Sequence, residues 1–289
     1  LSFKAEKRVT TERITRAFES AKEASRAALI PYIAAGNPLA DSTVPLMHAM
    51  VDAGADVIEL GIPFSDPMAD GPIIQRAAEH AISLGVGLAT VLKIVAEFRE
   101  QDKETPIVLM GYANPIERMG QREFVERAAS AGVDGVLVVD YPPEEMSLFG
   151  GLLAEHHMAP IFLLAPTTTD ARIAAVGKIA KGYVYYVSLR GVTGAGHLDT
   201  EDVARQVQKI RQFVSIPVGV GFGIGDAATA AKVAEVADAV VIGSKLIDVM
   251  TKAAHLVPRE QQTSAAASAG HAWLKEIRTA LDQVVRLPA

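Results

Sequence analysis

Eight short apolar runs, none of which alternates with polar residues, constrain this chain more than any other feature. They fall at 28–34, 57–62, 107–112, 135–140, 161–164, 183–188, 218–220 and 239–243. Most begin roughly 25 to 30 residues apart, the length of one βα unit. A strand with one wet face alternates apolar and polar positions. A strand covered on both faces does not, and parallel sheets are covered on both. Between the runs, apolar residues recur at helical spacing: Leu46, Met50 and Val51, then Val91, Leu92, Val95 and Phe98, then Val203, Val207 and Ile210. Gly54, Gly132 and Gly182 stand just ahead of strands, where a glycine ends a helix. "AGAD" at 53–56 and "AGVD" at 131–134 repeat one helix-to-strand turn.

This rhythm predicts an α/β fold, a (β/α)8 TIM barrel with an extra N-terminal helix and additional helices. Segment 11–24 is amphipathic and is placed to cover the bottom of the barrel. Segment 266–285 reads as a terminal docking helix, and the long gap after the second run holds two helices, 72–84 and 88–101. An open doubly wound sheet is built from the same units. Closure is favoured because it removes both sheet edges. The loop after the first run, "AAGNP", also has one glycine rather than a dinucleotide fingerprint.

Length decides little alone: 289 residues fit two average domains or one barrel. No Pro, Gly or Ser-rich linker divides the chain, so 11–289 is expected to be one domain, with 1–10 a disordered or appended leader. The balance of 28 basic and 34 acidic residues, net −6, argues against a nucleic-acid partner. The absence of cysteine excludes disulfides, thiolate metal sites and cysteine nucleophiles. No apolar leader is visible and no apolar run approaches ~18 residues, so a cytoplasmic protein without a membrane span is expected.

In such a barrel the chemistry lies at the C-terminal ends of the strands. Glu59 stands between Ile58 and Leu60 inside the second run. A carboxyl group there loses hydration, which raises its pKa and suits it to take and give a proton near neutrality. The bland alternative is an ion pair, yet no Lys or Arg occurs in any of the eight runs. That absence also excludes a Schiff-base lysine on a strand. The loop "PFSDPMADGP" at 63–72 follows, with Asp66 and Asp70. Turn and cap chemistry accounts well for Asp66, and for Asp70 it stands beside a functional role. No ligand spacing recurs, so no metal is expected. Glycine-rich loops at 191–196, 219–224 and 242–245 follow the sixth, seventh and eighth runs, the usual place for a phosphate on a barrel. Ser244 is either a phosphate contact or an ordinary helix cap. Arg190 and His197 border the first of these loops, and a phosphate contact and a solvated charge are equally open for Arg190.

Six segments together resemble the tryptophan synthase alpha subunit family: "IELGIPFSDPMADGP" at 58–72, "MGYANPI" at 110–116, "VDGVLVVDYPPEE" at 133–145, "YYVSLRGVTGAG" at 185–196, "GVGFGI" at 219–224 and "VIGSKLI" at 241–247. The resemblance runs from about Arg13 to the C-terminal helix. It implies a lyase that cleaves indole-3-glycerol phosphate to indole and glyceraldehyde 3-phosphate. It implies an α2β2 complex with a beta subunit, and no cofactor in this chain, PLP belonging to that partner. Carried onto this sequence, it makes Glu59 the general acid and base and Asp70 the acceptor of the indole N–H. Tyr185 takes the place of the tyrosine near the carboxylates. Gly194, Gly223, Gly243 and Ser244 take the phosphate end. Tyr32, Leu137, Thr193 and Phe222 surround the indole or order the lid, and Asp66, Asn114 and Pro115 face the beta subunit. The chain departs from the pattern at Asn37, where many relatives have Asp, at Tyr32, where some have Phe, and at "SLRGVTG". Two other readings stand beside this one: a different phosphate-binding barrel lyase or isomerase, and a non-catalytic indole-binding module.

Overall fold

The computed structural model describes residues 11–188, 200–221 and 223–284. Its eight strands are β1 (Ala28–Ala34), β2 (Ile58–Gly61), β3 (Ile107–Gly111), β4 (Gly135–Val138), β5 (Ala159–Leu164), β6 (Val184–Val187), β7 (Val218–Gly221) and β8 (Ala239–Ile242). All neighbours pair in parallel. The sheet closes through β1 and β8, with Ala28 opposite Ala239. The α/β barrel expected from the apolar rhythm is therefore the observed fold.

Alternation along each strand divides the core in two. Leu29, Ile33, Leu60, Leu109, Phe162 and Val220 point outward and pack with the helices. Ala28, Ile30, Val108, Leu137, Ile161, Tyr183 and Val241 fill the barrel itself. Both faces of every strand are thus buried, which is why the runs read as continuously apolar.

The N-terminal helix Thr11–Glu23 closes the lower end. Its Ile14, Phe18 and Ala21 join the inner cluster, and the Phe18 ring lies 5.6 Å from that of Tyr183. Arg13 on the same helix reaches Asp134 at 2.6 Å, and Arg99 holds the other oxygen of Asp134 at 2.8 Å. Asp134 also accepts from the N–H of Ile107, which starts β3. Asp56 accepts from the N–H of Leu29 and pairs with Arg26. Asp238 accepts from the N–H of Val218 and pairs with Arg211. The "AGAD" and "AGVD" repeat is thus a device in which an aspartate ahead of one strand holds the start of the preceding strand. Asp238 uses it a third time without the glycine.

Several boundaries differ from the sequence reading by one or more residues, and two differences have a plain cause. The C-terminal helix is Gln262–Asp282, beginning four residues earlier than position 266, because the Ala/Ser stretch ahead of it is itself helical. Alanine is the best helix former, so such a stretch joins the helix. Gly182 is not a helix cap: its helix ends at Ile179 with Ala180 extended, and Gly182 (φ 74°) turns the chain into β6. Gly132 does cap its helix in the left-handed region, at φ 92°. Among the described residues no single helix is long and apolar enough to cross a membrane. The pair Pro72–Ser83 and Leu88–Gln101 would be so only jointly, and it is bent by 94°.

Candidate active site

Glu59 is fully buried on β2, level with Tyr32 on β1 and Val108 on β3. Its Oε1 accepts a 2.5 Å hydrogen bond from the Tyr183 hydroxyl, and its Oε2 is buried without a hydrogen-bond partner. Burial pushes its pKa up to about 7, and the Tyr183 bond opposes that rise in part. Among the described residues no Lys or Arg makes the ion pair with Glu59 that would have made it merely structural. A phenol holds the carboxyl group instead, so it can carry or release a proton near neutral pH.

Asp70 lies on the loop after β2, half-buried. Tyr112, the residue after β3, donates to its Oδ2 at 3.2 Å and accepts from the Ala69 N–H at 3.1 Å. The Tyr112 ring packs 5.3 Å from Phe64 at the start of the same loop. Gln75 Nε2 donates to the Asp70 carbonyl at 2.8 Å, and the Asp70 N–H donates to Pro67. These bonds fix the carboxylate before any ligand arrives. Burial raises Asp70 to about 6, with the Tyr112 bond opposing.

Tyr185 on β6 and Tyr32 on β1 carry their hydroxyls over glycines of the next strand. A methyl group at Gly221 would come within 2.5 Å of the Tyr185 oxygen, and one at Gly61 within 2.2 Å of the Tyr32 oxygen. Burial raises both phenols, Tyr32 further through the Asp70 and Glu59 charges and Tyr185 through those of Glu59 and Asp70. Four side chains named from the sequence, Glu59, Asp70, Tyr32 and Tyr185, are therefore electrostatically coupled around one mouth. Leu137 is fully buried in the inner cluster on β4.

Beside Tyr32, at the end of β8, Gly243 precedes the helix Ser244–His255, whose N-terminus has no side-chain cap. Ser244 is the first helical residue rather than the cap, because Gly243 holds that position. Free N–H groups at a helix start favour an anion. Gly223 is exposed in the left-handed region (φ 75°), which a side chain would strain. Asp66 is exposed and accepts from Ser65 at 2.5 Å. Asn114 is exposed and Pro115 half-buried at the start of the helix Ala113–Met119, next to Tyr112. Asn114 and Pro115 are thus helical rather than on a loop, and because Tyr112 bonds to Ala69 and Asp70, the loop carrying Asp66 is tied to the start of that helix. Gly194, Thr193, Phe222, Arg190 and His197 lie outside the described residues.

Sequence reasoning missed Tyr183 and Tyr112, the partners of the two carboxylates. Tyr183 is two residues before Tyr185, and that period of two was the available signal. Nothing local distinguishes Tyr112. Among the described residues no three His, Asp or Glu side chains gather to hold a metal. His48 stacks on Phe98 at 4.7 Å, and His80 contacts the Pro38 carbonyl. A groove of about 940 Å³, lined by Phe18, Lys22, Met146, Phe162 and Lys181, lies beside the N-terminal helix and touches neither carboxylate.

A closed parallel barrel with a buried carboxyl group raised to about 7 on β2 and a helix N-terminus without a side-chain cap at the end of β8 has the build of a barrel enzyme. A family profile described as "Tryptophan synthase alpha chain" matches residues 18–276. The tryptophan synthase alpha chain of Bordetella bronchiseptica is 65% identical over 278 residues, 96% of this chain and 98% of that protein. The crystal structure of tryptophan synthase subunit alpha from Legionella pneumophila superposes with a TM-score of 0.85 at 40% identity, covering 94% of this chain and 99% of that one. A tryptophan synthase from M. tuberculosis, solved in an aminoacrylate-bound form, gives 0.81 at 32% identity, covering 93% of this chain and 99% of that one. The chain belongs to the tryptophan synthase alpha chain family, a family of lyases.

Proposed function

We propose that the protein cleaves indole-3-glycerol phosphate to indole and glyceraldehyde 3-phosphate, with Glu59 moving the proton and Asp70 holding the ring. The observation that carries this assignment is the state of Glu59: buried, without a cation partner among the described residues, and raised to about 7. The protonated carboxyl group delivers its proton to indole C3. Asp70, ionised above about 6, accepts the ring N–H and stabilises the cation that forms. The side-chain hydroxyl next to C3 then loses its proton to the Glu59 carboxylate. The carbon–carbon bond breaks, its electron pair returns to the ring, and the aldehyde departs. Proton and electron pair balance, and Glu59 ends as it began. Gly223, Gly243 and Ser244, with Gly194, anchor the phosphate, and that remote binding holds the reacting carbon in place. Tyr32, Leu137, Thr193 and Phe222 surround the ring or order the lid over it.

The same reading takes 11–289 as one domain of a cytoplasmic enzyme. Asp66 on the loop after β2 and Asn114 and Pro115 at the start of the helix tied to it face a beta subunit in an α2β2 assembly, and PLP is held by that partner. The test is to add indole-3-glycerol phosphate to the purified protein, with and without a beta subunit, and follow indole. Release in either condition is expected. Silence in both defeats the assignment.

A further inference from the structure

The Asp70 carboxylate is held at one oxygen only. Tyr112 donates to Oδ2 at 3.2 Å, and no described residue bonds to Oδ1. The same phenol oxygen accepts from the Ala69 N–H at 3.1 Å. That second bond fixes the direction of the first. A hydroxyl has one proton to give, and with a lone pair turned to Ala69 it gives that proton to Asp70.

Tyr112 is itself fixed from three sides. It is buried at the end of β3, and its ring packs on Phe64. It stands in extended backbone at the N-cap of the helix Ala113–Met119. The first N–H of that helix, on Ala113, donates to Asp140 Oδ1 beyond β4 at 2.7 Å. The phenol is thus placed by strand, ring and helix start together, and little freedom remains to be lost when it acts. Burial keeps it protonated through the working pH range. The other groups around Asp70 do not compete for its carboxylate. Tyr32 from β1 and Tyr185 from β6 are phenols raised by burial and further by its charge, and neither bonds to it. The helix Pro72–Ser83 offers Gln75, which donates to the Asp70 carbonyl instead. Asp66 on the same loop bonds to Ser65, and Asp140 faces Tyr112. Among the described residues no Lys or Arg pairs with Asp70, and Tyr112 is the one donor to its carboxylate.

We propose that Tyr112 is a positioning residue for Asp70: by occupying Oδ2 it leaves Oδ1 as the one acceptor offered to the ring N–H. Tyr112 transfers no proton. A donor to the charged carboxylate also favours that form, so the same bond keeps Asp70 ionised to lower pH. At 3.2 Å the bond is longer than is usual for a hydroxyl donor, which sets the expected effect at about half a pH unit. The identity of the ring rests on the lyase assignment, whereas the hold on Asp70 does not.

Two variants test it. Tyr112→Phe keeps the ring on Phe64 and removes one oxygen. Gln75→Met frees the Asp70 carbonyl and leaves the carboxylate bond in place. Carboxyl carbon-13 NMR titrations of the substrate-free protein should show the Asp70 midpoint about half a pH unit higher in Tyr112→Phe. In Gln75→Met it should stay within ~0.2 of wild type, and Glu59 should stay so in both. In the cleavage assay Tyr112→Phe should raise the acid limb of kcat/KM by the same amount and leave the basic limb in place. Its kcat should fall roughly tenfold while KM changes less than about threefold, because the N–H bond tightens as the ring becomes cationic. A role in packing alone would lower the rate at every pH with the acid limb unmoved, and that result overturns the proposal. So does an Asp70 midpoint within ~0.2 of wild type in Tyr112→Phe, or an equal displacement in Gln75→Met. A displaced midpoint, with no indole released by the unsubstituted protein, keeps the hold of Tyr112 on Asp70 and removes the lyase assignment.

Discussion

Replacing Glu59 with Gln should abolish indole release and, at alkaline pH, make the protein more stable. Burial holds the Glu59 carboxyl group at about 7 against an ordinary 4.5. Between those values the folded protein retains a proton that the unfolded chain has released. The native state binds more protons, so stability falls as pH rises through this window. The gap, at roughly 1.36 kcal/mol per pH unit, makes the cost about 3 kcal/mol at pH 8 and under about 1 kcal/mol at pH 5. Gln has the same shape, never ionises, and keeps an oxygen to accept the Tyr183 hydroxyl. With an unfolding entropy of roughly 2.1 cal/mol/K per residue, relief of that cost raises Tm by about 5 °C at pH 8 and by about 1 °C at pH 5. Thermal or urea melts of both proteins at the two pH values measure it. An equal gain at both, or a loss at pH 8, would refute the argument that ionisation of a dry carboxyl group is what Glu59 costs the fold.

The remaining expectations concern the same groups and their supports. The pH profile of kcat/KM should be a narrow bell, with an acid limb near 6 from Asp70, which must be ionised, and a basic limb near 7 from Glu59, which must hold its proton. Asp70→Asn should remove the acid limb along with most of the rate. Tyr183→Phe deletes the bond that favours the charged Glu59, so the basic limb should move to higher pH, and a limb that stays in place would show that the 2.5 Å contact is not felt by the carboxyl group. Asp134→Asn leaves Arg13 and Arg99 facing a neutral partner at the closed end of the barrel. Breaking a buried ion pair by removing one charge costs roughly 3 to 5 kcal/mol, which denaturant melts would register.

Much of this architecture is legible before any coordinates, for a simple reason. Double burial of parallel strands imposes continuous apolar runs, so strand number and order are written in composition. The strand at 28–34 and the helix at 88–101 coincide with the observed elements. Glu59 is legible too, since a carboxylate inside an apolar strand has few explanations. Asp70 is less so, because aspartate in a Pro and Gly-rich loop also serves turns. Here its carboxylate is bonded by the Tyr112 side chain, while the turn itself is made by backbone groups.

The sequence by itself determined a closed βα repeat, a dry acidic strand residue and glycines where a phosphate would approach. Each follows from local rules of burial, period and backbone freedom. Only the tertiary structure decided which phenol serves which carboxyl group. Tyr183 meets Glu59 across 124 positions of chain, and Tyr112 meets Asp70 across 42. Closure of the barrel brings β2 opposite β6, and a loop after β2 bends over the end of β3. Neither juxtaposition leaves a trace in neighbouring residues. Yet those contacts, together with burial, set how readily each carboxyl group ionises.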